Sequence, residues 1–209
     1  MAEVTAEALA AELAALPKGR RTLVGIAGAP GGGKSTLADM LADTLNAGAP
    51  GRAAVMGMDG FHFDDRVLEA RGDRARKGAP HTFDVGGLAA MLARLRSGKE
   101  DVAVPVFDRE IEIARAGAAI IPASVDVVLV EGNYLLTDQN GWAALRDAFD
   151  LRVMVEVDRD ELERRLMARW TGLGMSVDAA RAKVADNDLP NGDFVREHSV
   201  GIDRVVRDG

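Results

Sequence analysis

Gly28-Ala29-Pro30-Gly31-Gly32-Gly33-Lys34-Ser35 matches the spacing G-x-x-x-x-G-K-[ST] at every fixed position, and Thr36 follows directly. The spacing has a chemical meaning. Glycines let successive backbone amides turn inward on phosphate oxygens, Lys34 adds a point charge, and Ser35 offers a hydroxyl to Mg²⁺. A helix that begins near Lys34 aims its positive end at the same anion. A glycine-rich turn can match by chance, but here an apolar strand pattern precedes the loop and a helical pattern follows it. The stretch from Gly28 to Thr36 therefore reads as a nucleoside triphosphate site. Two carboxylates stand where such a site needs them. Asp59, in "MDGFHFDD", is placed to reach an acceptor hydroxyl near the γ-phosphate as a general base. Glu131, ending "VVLVE", takes the position of the acid that holds Mg²⁺ with Ser35. The competing use for each is to cap the turn or helix that follows.

The elements that must carry these residues are legible as apolar runs. "TLVGIAG" (22–28), "VDVVLVEG" (125–132) and "LRVMVEVD" (151–158), with "AAVMGMD" (53–59) as a weaker fourth, read as buried parallel strands. Helical patterns lie between and after them at Ser35 to Leu45, Val85 to Leu95, Trp142 to Ala148 and Arg159 to Trp170, and an amphipathic helix opens the chain. Alternation of this kind predicts an α/β fold, a three-layer doubly wound and mainly parallel sheet, with ligands at the carboxyl ends of the strands. Two stretches break the alternation. Phe61 to His81 is charged and irregular, and Thr171 to Phe194 has a glycine-flanked opening, a short helix and a polar turn from Asn187. Both are long enough to bind substrate or close as a lid.

Composition narrows the rest. The 209 residues suit a single domain: a nucleotide-binding core over 22–59, a substrate-loop region over 60–110 and a lid region over 159–195. A net charge of -7 without a basic block argues against a nucleic-acid surface. With no cysteine there is no thiolate nucleophile or thiolate metal site, and three histidines without clustered ligands do not make a transition-metal centre. No apolar run reaches the roughly 20 residues of a membrane span, and the acidic, alanine-rich start is unlike a secretory signal, so a cytoplasmic protein is expected.

The ordered set "GAPGGGKS", "MDGFH", "RKGAPHTFD", "VPVFDRE" and "VEGNYLL" resembles the P-loop small-molecule kinases that include bacterial pantothenate kinase, uridine kinase and phosphoribulokinase. Within that group the resemblance is strongest to bacterial members named as fructose transport system kinases. It runs from about Thr22 to about Val206. It implies ATP and Mg²⁺, with Asp59 as base and Glu131 as the metal-side acid. It also implies a substrate loop containing Asp84, a second substrate-contacting loop with Asp108 and Arg109, and lid arginines among Arg164, Arg165 and Arg169. His62, His81 and Phe83 flank the same loops as acceptor-site candidates, although structural hydrogen bonds or core packing would explain them too. Arg165 and Arg169 are four apart and share a helix face, whereas Arg164 points elsewhere; Arg169, nearest the lid opening, is the preferred catalytic arginine. Members of this group are often dimers.

The expected activity is transfer of the γ-phosphoryl group of ATP to a hydroxyl of a small metabolite: a sugar, a pantothenate-like molecule or a nucleoside. Two alternatives stand beside it. A nucleoside monophosphate kinase would use the basic run "RGDRARK" on its acceptor. A regulatory NTPase switch for GTP would need an Asn-Lys-x-Asp motif, and "EVDRDELE" fills that place.

Overall fold

The computed structural model of the protein describes residues 1–139 and 141–207. Six strands, β1 (Ala2–Glu3), β2 (Thr22–Gly28), β3 (Ala53–Gly57), β6 (Val127–Glu131), β7 (Leu151–Glu156) and β8 (Arg204–Arg207), form a parallel sheet in the order β1-β8-β7-β2-β6-β3. The other two, β4 (Val102–Asp108) and β5 (Ile113–Ile121), make a separate antiparallel hairpin.

Side chains alternate across each strand, and the sheet sorts them into two cores. Leu23, Val128, Val130 and Met154 face one side, where Leu88, Leu92 and Leu95 of α4 (Val85–Ser97) pack with Tyr134, Trp142 and Phe149. Val24, Ile26, Leu129 and Val153 face the other, against α1 (Ala6–Ala14) and α2 (Lys34–Gly48). Strand β2 lies between β7 and β6, so its backbone is paired on both edges while its side chains are covered on both faces. Each aliphatic side chain fully buried there contributes about 1.5–3 kcal/mol. A third, smaller cluster joins Leu162 and Leu166 of α5 (Arg159–Gly172) to Val184 and Leu189, above Ala29 of the phosphate loop.

At the far end of the sheet Arg21 is a structural clamp. Its guanidinium donates to the carbonyls of Val125 (3.0 Å), Leu95 (3.1 Å) and Pro122 (2.5 Å), joining β2, α4 and the chain entering β6. Burial lowers its pKa, but these bonds replace the lost water.

All four expected strands and the parallel sheet are present, and several boundaries differ. The strand at 53–59 ends at Gly57, and Met58–Phe61 form a 3-10 turn instead. Trp142–Ala148 is also 3-10 helix, rather than α-helix. The irregular stretch after Phe61 contains a short helix, α3 (Asp65–Arg71), capped by Asp64, whose side chain accepts from the Arg66 amide. The polar turn expected from Asn187 is helix: α6 (Val177–Lys183) continues through a π turn (Val184–Asp188) into α7 (Leu189–His198). Pro190, which has no amide to donate, follows directly on the π turn that interrupts the α-helical bonding. The hairpin β4–β5 escaped strand-pattern reading because much of it is exposed and lacks a full apolar face.

Candidate active site

The phosphate loop runs from the end of β2 into α2. Gly33 caps α2 with φ 82° and Gly31 sits at φ 76°, left-handed conformations that favour glycine. A side chain at Gly31 would also meet Leu166 of α5 at 3.1 Å, so α5 rests directly on the loop. The Lys34 side chain is buried, and its Nζ donates to the Ala29 carbonyl at 3.0 Å. Burial pushes the Lys34 pKa down, while Glu131 and Asp59 pull it back up.

The β3–β6 pairing brings the two carboxylates together. Gly57 stands opposite Glu131 in the register, so Asp59, two residues further on, lies beside the end of β6. Glu131 also aligns with Ile26 of β2, which sets it beside the phosphate loop. Its pKa is raised by burial, with Lys34 and a hydrogen bond from Ser35 acting against that rise and Asp59 adding to it. The contacts behind the pair are close. A Cβ on Gly57 would lie 3.2 Å from Glu131 Oε1, and one on Gly132 would lie 2.3 Å from Met58 Cβ.

Asp59 Oδ2 accepts a hydrogen bond from Arg109 Nη2 at 2.7 Å, across 50 residues of chain. The ring of His62 contacts the Asp59 carbonyl through Nδ1 at 2.8 Å and stacks with Phe83 and Phe107, at centroid distances of 4.0 and 4.8 Å. Burial lowers its pKa, favouring the neutral imidazole.

Arg109 is held by the hairpin. Pro105 packs on the Asp59 turn, where a Cβ on Gly60 would lie 2.7 Å from its carbonyl oxygen. Lys77 Nζ donates to the Glu112 carbonyl and to Asp65 Oδ1, each at 2.6 Å, tying the hairpin turn to the irregular stretch.

A cleft of about 380 Å³ is lined by Pro30 to Thr36 of the loop, Asp59, Arg109, Glu131, Gly132 and Asn133, and by Arg165 and Arg169 of α5. The shared helix face read from sequence is correct for Arg165 and Arg169. Arg164 lies outside this lining and pairs with Glu161, whose carboxyl Arg164 and Arg165 hold down to about 2. Arg169 is partly buried, which lowers its pKa, and stacks over Trp170 at 5.1 Å. Trp170 Nε1 in turn donates to Asp188 Oδ2 at 2.6 Å, anchoring α5 to the π turn.

The other candidates lie around the cleft without lining it. Asp84 caps α4 through a bond from the Gly87 amide. Asp108 pairs with Arg115 across the hairpin, and half-exposed His81 lies 3.4 Å from Asp73. Phe83 is core. Outside the candidate set, the remaining histidine, His198, stacks on Phe194 and faces Asp138 at 3.7 Å. Sequence reasoning missed Asn133 in the cleft, although "VEGNYLL" was in view, and it missed Tyr134 and Trp142 as supports. The Tyr134 hydroxyl donates to the Gly78 carbonyl at 2.6 Å and Trp142 Nε1 to the Pro80 carbonyl at 3.2 Å. These bonds pin the segment that crosses over to pair with Phe61 and Phe63.

Residues 23–194 match the family model for the Phosphoribulokinase / Uridine kinase family. A crystal structure from Silicibacter sp. TM1040, described as a "putative fructose transport system kinase", superposes with a TM-score of 0.89 at 42% identity, covering 97% of this chain and 98% of that one. Uncharacterized protein YggC of Escherichia coli is 34% identical over 189 residues, which cover 90% of this chain and 78% of that protein. Pantothenate kinase of Sorangium cellulosum is 37% identical over 162 residues, 75% of this chain and 52% of that enzyme. The chain thus spans about half the length of that pantothenate kinase. Fold and site together define a P-loop small-molecule kinase, an ATP-dependent phosphotransferase. The chain belongs to the Phosphoribulokinase / Uridine kinase family.

Proposed function

We propose that the protein transfers the γ-phosphoryl group of ATP to a hydroxyl of a small metabolite, with Asp59 as general base. The observation that carries this reading is the convergence of the phosphate loop, Asp59, Glu131 and two lid arginines on one cleft. Phosphoryl transfer asks for positioning and charge neutralisation, and these are the groups that provide both. The loop amides and Lys34 hold the phosphates, and Arg165 and Arg169 approach them from the lid side. Ser35 and Glu131 are hard oxygen donors already in contact, a set that fits Mg²⁺, which binds few protein oxygens and keeps water and phosphate ligands. When bound, the metal neutralises charge on the phosphates. Asp59 receives the proton of the attacking hydroxyl.

The nucleoside end of ATP leaves the loop at Thr36. A cavity of about 740 Å³ begins there, lined by Gly33, Thr36, Leu37, Met40, Val155 and Val206, and by Glu3, Val4 and Thr5 of the N-terminal segment. The N-terminal segment, through the Glu3–Arg207 ion pair at 3.1 Å, would therefore wall the base site.

The run that kept a nucleoside monophosphate acceptor in view is engaged in holding the loop together. Arg74 and Lys77 both pair with Asp65, and Arg76 donates to the Asp186 carbonyl. This favours a hydroxyl acceptor. ADP release with Mg·ATP over a panel of hexoses, polyols, pantothenate, nucleosides and nucleoside monophosphates tests the proposal. An acceptor-dependent rise with a phosphorylated product by mass supports it. A slow release that no acceptor changes returns the switch reading.

A further inference from the structure

Three cations of the cleft have roles on the phosphate side. Lys34 sits inside the loop, and Arg165 and Arg169 project from the lid helix packed on it. Arg109 differs in origin and in partner. It comes from the hairpin, beside Phe107 at 5.8 Å, and its guanidinium is bound to the carboxylate that has to act as base. With Arg109 at 2.7 Å, Asp59 Oδ2 is occupied, and a substrate hydroxyl must compete with a charge-assisted bond to reach it.

A neutral acceptor that displaced Arg109 would break this ion pair and bring no counter-charge of its own to replace it. An acceptor with its own anion would exchange one ion pair for another. The hairpin is built to hold Arg109 at that place. Lys77 fixes the turn through Glu112, Asp108 is engaged by Arg115, and Pro105 abuts Gly60. These contacts fix the hairpin backbone, while the half-exposed Arg109 side chain can turn toward an incoming ligand.

We propose that the acceptor carries, besides its reacting hydroxyl, an anionic group, a carboxylate or a phosphate monoester, and that this anion draws Arg109 away from Asp59. The inference rests on the kinase reading above, with Asp59 as base. In the step that follows, the acceptor oxygen bonds to the γ-phosphorus as the bond from that phosphorus to the β–γ bridging oxygen breaks. The hydroxyl proton passes to Asp59, and the bridging oxygen leaves with ADP. Arg109 is thus a specificity-determining residue whose release from Asp59 couples acceptor recognition to the availability of the base.

The test uses charge-matched pairs: hydroxy acids against their primary amides, and sugar phosphates against the free sugars. ADP release is measured at saturating Mg·ATP for the wild type, Arg109→Gln and Arg109→Lys. The charged member of at least one pair is expected to show a kcat/KM about tenfold or more above its neutral partner, the size of a charge-assisted hydrogen bond. Whether the carboxylate or the phosphate pair responds identifies the anion. Arg109→Gln should raise the KM for that acceptor, erase the preference and leave the KM for ATP unchanged, and Arg109→Lys should keep part of the preference. A neutral acceptor used as well as or better than its charged partner overturns the inference while leaving the kinase reading intact. So does a preference that survives in Arg109→Gln, or a loss that falls on ATP instead. If no acceptor, charged or neutral, changes ADP release while Mg·ATP still binds, the kinase reading fails and this inference fails with it.

Discussion

Replacing Asp59 by asparagine keeps the shape of the side chain and removes the carboxylate proposed to take the proton. General-base catalysis contributes roughly 10²–10⁴-fold, so kcat should fall by at least about 10². At 1.36 kcal/mol per tenfold, that range is about 2.7–5.4 kcal/mol of transition-state stabilisation. The cost to folding is far smaller. Asp59 is partly exposed and its partner Arg109 half-exposed, so their ion pair is worth about 0–1 kcal/mol after solvent screening. At about 2–4 °C per kcal/mol for a chain of this size, the melting temperature should move by no more than about 4 °C. ATP affinity should hold, because Asp59 carries the same sign of charge as the triphosphate and no loop residue depends on it for a hydrogen bond among those described. Single-turnover rates give the chemical step, and calorimetric titration with Mg·ATP gives the affinity. Equal losses in rate and ATP binding would make Asp59 a metal or structural residue, and an unchanged rate would end its role as base.

Lys34→Ala should abolish turnover by removing the charge from the centre of the loop, and undiminished activity would remove the loop from the mechanism. Tyr134→Phe leaves the Gly78 carbonyl without its donor, which should cost about 1–3 kcal/mol in urea unfolding, with a raised KM for the acceptor; a variant as stable as the wild type would refute the pinning role. Arg21→Met strands the carbonyls of Leu95, Pro122 and Val125, and should lower the urea midpoint more than Tyr134→Phe does; the reverse order would show that the clamp is dispensable. Hydrogen bonds from Arg152 hold Asp203 below the usual carboxylate range. The folded pKa lies under the unfolded value of about 3.9, so this stabilisation is present above that pH and disappears as the pH falls through the folded value. Thermal midpoints of wild type and Asp203→Asn should therefore differ at pH 7 and converge as the pH falls from about 3.9 through the lower folded value, whereas a gap independent of pH would exclude the ion pair as its source.

Local chemistry was legible in the sequence wherever a residue's role depends on near neighbours. The loop from Gly28 to Thr36 works through consecutive amides, so its spacing alone defined it. Strands β2, β6 and β7 were visible because burial on both faces leaves a continuous apolar run, and β3, only partly buried, read more weakly. The common face of Arg165 and Arg169 followed from helical period. The same logic explains what was lost. Hairpin β4–β5 is half solvated, and α7 contains Asn, Gly and Pro, so neither carries the pattern of its element. Its helical state is supported from outside, by Leu189 in the lid cluster and Val195 in the core. The pairing of Arg109 with Asp59 could only be seen in three dimensions. Nothing within 50 residues of chain encodes it; it exists because β3, β6 and the hairpin converge at one end of the sheet. The sequence determined that this protein would hold a triphosphate, since a phosphate loop is a local structure. Tertiary packing decided what faces that loop, because Asp59, Glu131 and Arg109 meet only through the pairing of β3 with β6 and the approach of the hairpin.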